Sequence, residues 1–523
     1  MLIPLHLLES YVTRFNAQDV EHYTNSIPNE QAYDFLKDNI PLFECPDPII
    51  ESTYYFRWWT YRKHIRQTED GAVITEFLPE VPWAQKHNVI TCPSGHHVRE
   101  GRWLRKPEIL REYMSYLLKL ILSLNDRTYS YWAADSVWAF HLLHPDSSWL
   151  ENIYPDLCAY FERLQSWRIP GSALYHYCDM LDGMEHTAGG RAVTEADDFL
   201  FKVDAVRPSF NSYMFGDAIA LSKIAKKLKA PEHAYFESVA TDLRREFQNR
   251  LWNTDLKFFT CLPEHFTSDT SPISVREQVG YIPWYFNLPE SRKGYEQAWD
   301  QLMDPDGFYA PFGPTTCEQR HPFYRIEYFE GCNCQWNGPS WPFATSQTLT
   351  ALANVLNSEA ADQVDHESYF KTLKIYAHSH QFRESESVAE PPSPFKTGQP
   401  WIDENLDPQH GNWISRERNK IFPNQIHEQG KDYNHSTFCD LIINGLIGIR
   451  PENETLVIHP LLPPDAWDWF CLENVPYQGK MLTVIWDKTG TKYNQAKGMT
   501  LQIDGFIRHT SNTLQRVELS FDG

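Results

Sequence analysis

W-I-D-E-N-L-D-P-Q-H-G at residues 401–411 and D-Y-N-H-S-T-F-C-D-L-I-I-N-G-L-I-G-I-R-P at residues 432–451 bracket the stretch around which the chain is organised. The first run reads as a loop. Asp403 and Glu404 precede the turn formers Asp407-Pro408 and His410-Gly411. The second run reads as the start of a helix. Asn434 or Ser436 can cap it, and Phe438, Leu441, Ile442 and Leu446 recur at helical spacing. An acidic loop held against a buried helix start fixes a carboxylate in place. Trp401 and Trp413 beside it are the kind of aromatic face that stacks on a sugar ring.

Upstream, helical patterns alternate with loops from residue 108 to 448. The spacing predicts helices over Glu108–Leu124, Tyr131–Leu143, Leu150–Trp167, a stretch that the lead-in 207–218 enters and that ends near Leu228, Glu232–Leu251, 291–302, Pro342–Leu356 and His366–His380, about ten in all with those flanking them. Tyr54–Arg66 predicts an earlier amphipathic helix with its basic residues outward. So long a series of helical hairpins predicts a mainly α fold, an (α/α)6 toroid rather than a four-helix bundle. After Arg450 the period changes. T-L-V-I-H-P-L, L-T-V-I-W-D, M-T-L-Q-I-D-G-F-I and R-V-E-L-S-F alternate with period two, predicting a small C-terminal β-sandwich. The expected division is 1–450 for the helical domain with its lead-in and 451–523 for the β-domain.

Composition narrows the function. A net charge of −22 over 523 residues opposes binding to a phosphate backbone, so no nucleic-acid partner is expected. No run of 18 apolar residues exists, so no membrane span is expected. Aromatics reach 14%, with 18 Trp and 27 Tyr, which favours aromatic-lined pockets. The N-terminal M-L-I-P-L-H-L-L-E-S-Y lacks a basic lead and is broken by Glu9, unlike a secretory signal. The expected compartment is cytoplasmic if this start is native, and periplasmic or secreted if it has been trimmed. Cys332-Asn333-Cys334, with Cys317 upstream, is the one cysteine cluster. It lacks the C-x2-C pairs of most zinc sites, so no metal and no cofactor is expected.

Glycoside cleavage needs two carboxyl groups flanking the scissile bond. One gives its proton to the leaving oxygen and the other activates water or attacks directly. Two acidic loops bordered by Gly and aromatics are available, at 179–185 and 403–407. Around them stand candidate sugar-binding residues: Trp58 and Trp59, Trp83, the H-H-V-R-E-G-R-W loop with His97, Glu100, Arg102 and Trp103, then Asp182, Arg207, Asn211, Trp336, Trp341 and Tyr433.

Three motifs resemble a known group. W-N-G-P-S-W (336–341) is similar to the W-R-G-P-x-W run of the family 63 type inverting glycosidases. These are six-hairpin (α/α)6 enzymes that include α-glucosidases and mannosylglycerate hydrolase-like proteins. E-N-L-D-P-Q-H-G (404–411) resembles their E-x-Y-x-P-x-T-G loop, whose leading Glu is the general base, and so implies Glu404 in that role. D-G-M-E-H-T (182–187) resembles their S-G-M-D-N-S loop, whose Asp is the general acid, and implies Glu185, one methylene longer. L-V-I-H-P-L-L-P looks like the strand that enters the C-terminal β-domain of related enzymes. Asn337 stands where the group has Arg, and Leu406 where it has an aromatic; both departures bear on the substrate. The resemblance implies a glycosidase acting by single displacement with inversion, with a carbohydrate partner, and a blunt pocket built from long loops points to exo-action on the end of a short glycoside or oligosaccharide. The alternatives are a polysaccharide lyase (for which Arg57, Arg62 and Arg102 would be basic subsites), a cysteine-and-zinc arabinofuranosidase, or a non-catalytic sugar-binding protein.

Overall fold

The computed structural model describes residues 2–124, 128–327, 334–358, 362–384, 396–416, 426–452 and 455–520. It is mainly α-helical, with antiparallel sheets at its C-terminal end. The long helices fall where the apolar periodicity puts them: Glu108–Ser123, Ser147–Leu164, His233–Leu251, Pro342–Asn357 and His366–Ser379; the helix that ends at Leu228 starts earlier than expected, at Pro208, and takes in the lead-in. Several starts carry the expected chemistry. Pro208 and Pro342 occupy the first helical turn, where a missing N–H costs nothing. Asp365 and Ser368 form a capping box at the last of these helices.

Three expectations are corrected. The early helix runs Pro48–Lys63, capped by Asp47, and 13 of its 16 residues are buried. It is not amphipathic, and its basic residues point inward. Arg57 reaches His380 Nε2 at 3.0 Å and the Ser436 carbonyl at 2.6 Å. Lys63 forms ion pairs with Asp19 at 2.9 Å and Asp432 at 2.6 Å, all three side chains buried. The segment near 291–302 is a 3-10 turn, Tyr295–Gln301, rather than an α-helix. The segment after Ser436 forms a short π-helix, Leu441–Leu446.

At the C-terminal end, Trp469–Tyr477, Lys480–Asp487, Gly498–Ile503 and Phe506–Ser511 pair in order as an antiparallel sheet. A fifth strand comes from far upstream: Leu42–Glu44 pairs with Trp469–Tyr477, Leu42 opposite Glu473 and Glu44 opposite Cys471. A second, three-stranded sheet joins Ile449–Pro451, Thr455–Ile458 and Val517–Ser520. The Glu473 carboxylate accepts from the Leu2 and Ile3 N–H groups, so the N-terminal helix Leu5–Gln18 is tethered to the same sheet. One continuous apolar core links the helices to the sheet through contacts such as Phe43 with Trp467 and Phe370 with Trp467. Among the described residues no helix is long and apolar enough to cross a membrane.

Candidate active site

The 179–187 loop is built around one buried carboxylate. Asp179 Oδ1 accepts from the Met180 N–H at 2.8 Å and the Val203 N–H at 2.6 Å, and its Oδ2 accepts from Thr187 Oγ1 at 2.9 Å. Thr187 in turn caps the helix Ala188–Thr194 by accepting from the Gly190 N–H. Between these anchors, Met180–Asp182 make a 3-10 turn, and Gly183 reverses the chain at φ 74°, a left-handed conformation that costs glycine little. Glu185 follows and points into a cavity.

The 403–415 loop is equally fixed. Asp403 Oδ1 accepts from the Glu404 N–H at 2.9 Å and from Ser415 Oγ at 2.9 Å. Leu406 and Ser340 exchange both backbone hydrogen bonds at 3.0 Å, joining the 404–411 loop to the 336–341 run. The Asp407 carboxylate accepts from the Gln409 and His410 N–H groups, which closes the expected turn.

Glu185 and Glu404 therefore open onto the same cavity, of about 440 Å³. Each is 8% exposed. Aromatic side chains form most of the wall: Phe77, Trp83, Trp336, Trp341, Phe343 and Tyr433. The Trp336 and Trp341 rings stack 4.3 Å apart and 15° from parallel. Trp83, at 43% exposed, stands at the mouth with the exposed Phe201. Burial pushes the Glu185 carboxyl up to about 8, and the nearby Asp179 and Glu76 carboxylates push the same way. A carboxyl so placed keeps its proton at neutral pH, as a general acid must. His435, which also lines the cavity, donates from Nε2 to the Glu404 carbonyl at 3.1 Å. Burial holds its ring neutral, so Nδ1 remains a bare acceptor, with no partner among the described residues.

Of the residues singled out in the sequence, Glu185, Glu404, Trp83, Trp336, Trp341 and Tyr433 meet at this cavity. The others lie elsewhere, engaged with the protein itself. Trp58 is fully buried, and Trp59 donates to Asn16 Oδ1 at 2.8 Å. His97 donates to the Asn434 carbonyl and accepts from the Tyr113 hydroxyl; burial brings its pKa down to about 4, so it stays neutral. Glu100 accepts the backbone N–H groups of Phe438, Cys439 and Asp440, immediately before the π-helix. Arg102 and Trp103 both donate to Asp440 Oδ1 at 2.7 Å. Asp182 pairs with Arg207, and Asn211 bonds both backbone groups of Tyr175. The three arginines that a uronate subsite would need are committed as well: Arg57 and Arg102 as above, and Arg62 to the Ile27 carbonyl and Asn29. Cys334 lines the cavity and Cys317 is buried; Cys332 lies outside the described residues. Asn337, where the similar motif has Arg, is buried and donates to the Phe323 carbonyl at 3.1 Å.

The cavity also holds a carboxyl that the spacing did not single out, Glu76, whose Oε1 accepts from the Tyr433 hydroxyl at 2.7 Å. It heads the E-F-L-P-E-V-P-W run, whose density of aromatic and acidic residues was the only sign of it.

Comparison with known proteins bears on the family and the fold. A family model for the mannosylglycerate hydrolase MGH1-like glycoside hydrolase domain matches residues 86–436. A model for the C-terminal domain of glycosyl hydrolase family 65 matches residues 449–506. A solved structure described as a sialidase is 36% identical over 99% of this chain, with a TM-score of 0.85. This chain spans 45% of that protein's length. The GH63 mannosylglycerate hydrolase of Thermus thermophilus, solved with Tris, is similar in fold: 12% identity, TM-score 0.52, over 74% of this chain and 99% of that one. The GH78 family rhamnosidase of Bacillus sp. GL1 shares the fold at 13% identity and TM-score 0.51, over 88% of this chain and 41% of that one.

Proposed function

Since the chain belongs to the mannosylglycerate hydrolase MGH1-like glycoside hydrolases, we propose that it is an inverting, exo-acting glycosidase in which Glu185 is the general acid and Glu404 the general base. Residues 1–450 form its (α/α)6 catalytic toroid and residues 451–523 its β-domain. The observation that carries this reading is that two carboxyls from separate, rigidly held loops open onto one aromatic-walled cavity.

In the single displacement, Glu185 passes its proton to the glycosidic oxygen as the bond to the anomeric carbon breaks and its electron pair moves to that oxygen. Glu404 takes a proton from a water on the far face, and the resulting hydroxide bonds to the anomeric carbon. Inversion calls for carboxyls roughly 6.5–9.5 Å apart, leaving room for the water. Trp336, Trp341, Trp83 and Tyr433 bind the sugar rings, and the bare Nδ1 of His435 accepts from a sugar hydroxyl. A walled cavity with one aromatic mouth suits the terminal unit of a short glycoside.

A ¹H NMR time course on a panel of short α- and β-linked glycosides tests the reading. It expects the anomeric signal of the new sugar to appear with inverted configuration, and turnover to vanish in Glu185→Gln and in Glu404→Gln. Retained configuration would remove the water-activating role of Glu404. Full activity in Glu404→Gln would refute the assignment of the base.

A further inference from the structure

Glu76 stands just beyond the second strand of the hairpin Ile65–Thr68 and Gly71–Ile74, and its backbone is fixed by the 433–435 segment. The Asn434 N–H donates to the Glu76 carbonyl at 3.1 Å, and Asn434 Nδ2 donates to the Thr75 carbonyl at 3.2 Å. One oxygen of the side chain is fixed as well: the Tyr433 hydroxyl donates to Oε1 at 2.7 Å. That phenol ring packs edge-on against Phe77, centroids 4.7 Å apart, and against His435 at 4.1 Å. The second oxygen, Oε2, makes no hydrogen bond among the described residues, although the side chain is only 5% exposed. That exposure is to the cavity, whose wall Glu76 shares with Glu185 and Glu404. An open carboxylate oxygen on a clamped side chain is a fixed acceptor for whatever fills the cavity.

We propose that Glu76 is a specificity-determining residue, which takes a hydroxyl of the bound sugar on Oε2 and turns acidic sugars away. This rests on the reading of the cavity as a sugar site, and the acid and base roles of Glu185 and Glu404 play no part in it. When a sugar ring fills the cavity, Oε2 loses access to water and needs a donor in exchange. A sugar hydroxyl is such a donor, and a hydrogen bond to a carboxylate is roughly twice as strong as one between neutral groups. The clamp makes the contact selective. With Oε1 bonded to Tyr433 and the backbone bonded to Asn434, Oε2 cannot swing to follow a hydroxyl at another ring position. A sugar that lacks the right hydroxyl leaves the oxygen bare, and a site built to hydrogen-bond a hydroxyl discriminates strongly against the analogue without it. An acidic sugar fares worse still, because its carboxylate enters a space already walled by three carboxyl groups.

The test reads binding, not turnover. Quenching of tryptophan fluorescence, which Trp83, Trp336 and Trp341 in the cavity wall supply, is followed in the full-length protein. The probes are D-glucose, D-mannose, D-galactose and L-rhamnose, set against D-glucuronate, D-galacturonate and N-acetylneuraminate. The measurement is made at pH 8, above the value of about 7 to which burial raises Glu76, so that Oε2 acts as an acceptor. At least one of the four neutral sugars should bind, and more tightly than any of the acids. Glu76→Gln keeps an acceptor for Tyr433 but sets an NH2 donor where Oε2 stood. It should weaken the neutral sugar by about 10–100-fold and strengthen the acids, opposite changes that a merely structural role would not produce. Among monodeoxy analogues of the sugar that binds, one should bind the native protein weakly and lose nothing further in the variant. An unchanged Kd in folded Glu76→Gln would overturn the proposal, as would tighter binding of an acid by the native protein, or no binding of any of the four neutral sugars. If Glu76→Gln does not fold, Glu76→Asp, which draws the oxygens back by one methylene, should show the same loss, and an unchanged Kd there would overturn the proposal. Binding with these changes but no turnover of any glycoside would instead overturn the glycosidase reading and leave the assignment of Glu76 standing.

Discussion

Asp182 Oδ2 lies 3.1 Å from Arg207 Nε, and neither side chain exposes any surface to solvent. Ser209 Oγ donates to the same carboxylate oxygen. Asp182 is three residues from Glu185, yet the two do opposite things: one is sealed in an ion pair, the other opens onto the cavity. Removing one partner of a buried pair leaves the other uncompensated, so Asp182→Asn should cost about 3–5 kcal/mol of stability. Chemical denaturation checks it. A midpoint like that of the native protein would mean that Arg207 finds other partners.

Glu185→Gln should behave in the reverse way. The folded protein holds the Glu185 proton up to about pH 8, whereas the unfolded chain releases it near its ordinary value. Between those two values the native state binds more protons, so this group makes stability fall as pH rises, with the whole penalty present above about pH 8. The amide removes that penalty. The variant should therefore match the native protein near pH 5 and exceed it in melting temperature near pH 8, while losing turnover. Parallel melting curves at both pH values would contradict the raised pKa.

The stacked pair Trp336 and Trp341 offers a broad aromatic wall. Trp336→Leu should raise KM for a cleaved glycoside by roughly 3–10-fold, the worth of one aromatic contact, with a smaller change in kcat. Initial rates across substrate concentration would show it. An unchanged KM would place the sugar on the other wall of the cavity.

Glu100 serves the fold rather than the sugar. Its carboxylate satisfies three backbone N–H groups at 2.8–3.0 Å, at the entry to Leu441–Leu446. Glu100→Ala should cost about 2–4 kcal/mol, since charged acceptors of orphan N–H groups are strong and their loss leaves buried donors bare. The measurement is again denaturation, with KM on the same glycoside expected to stay put. A large KM effect without loss of stability would return Glu100 to the substrate site.

How much of this is legible in the sequence depends on range. The helices from Glu108 onward show themselves because their apolar faces repeat locally. The 182–187, 336–341 and 404–411 runs stand out by their resemblance to the motifs of the family 63 type glycosidases. Trp469–Tyr477 does not stand out: seven of its nine residues are buried, so no alternation marks it, and its register shifts between Leu472 and Val475. Glu76 is a single carboxylate after a short strand, given meaning only by Tyr433, 357 residues away. Conversely, Glu100, Arg102 and Trp103 have the composition of a binding loop, but their partners are Asp440 and the backbone around it, which no local pattern announces.

The pairing of Leu42–Glu44 with Trp469–Tyr477 sets a timetable for biosynthesis. At roughly 5–20 residues per second, the ribosome releases the second strand some 20–90 s after the first. Throughout that interval Leu42–Glu44 waits without the strand that pairs with it. The nascent chain is thus a client for holding chaperones until its last strands emerge. Overproduction that outruns those chaperones should send it into inclusion bodies, even though the finished protein is tightly knit.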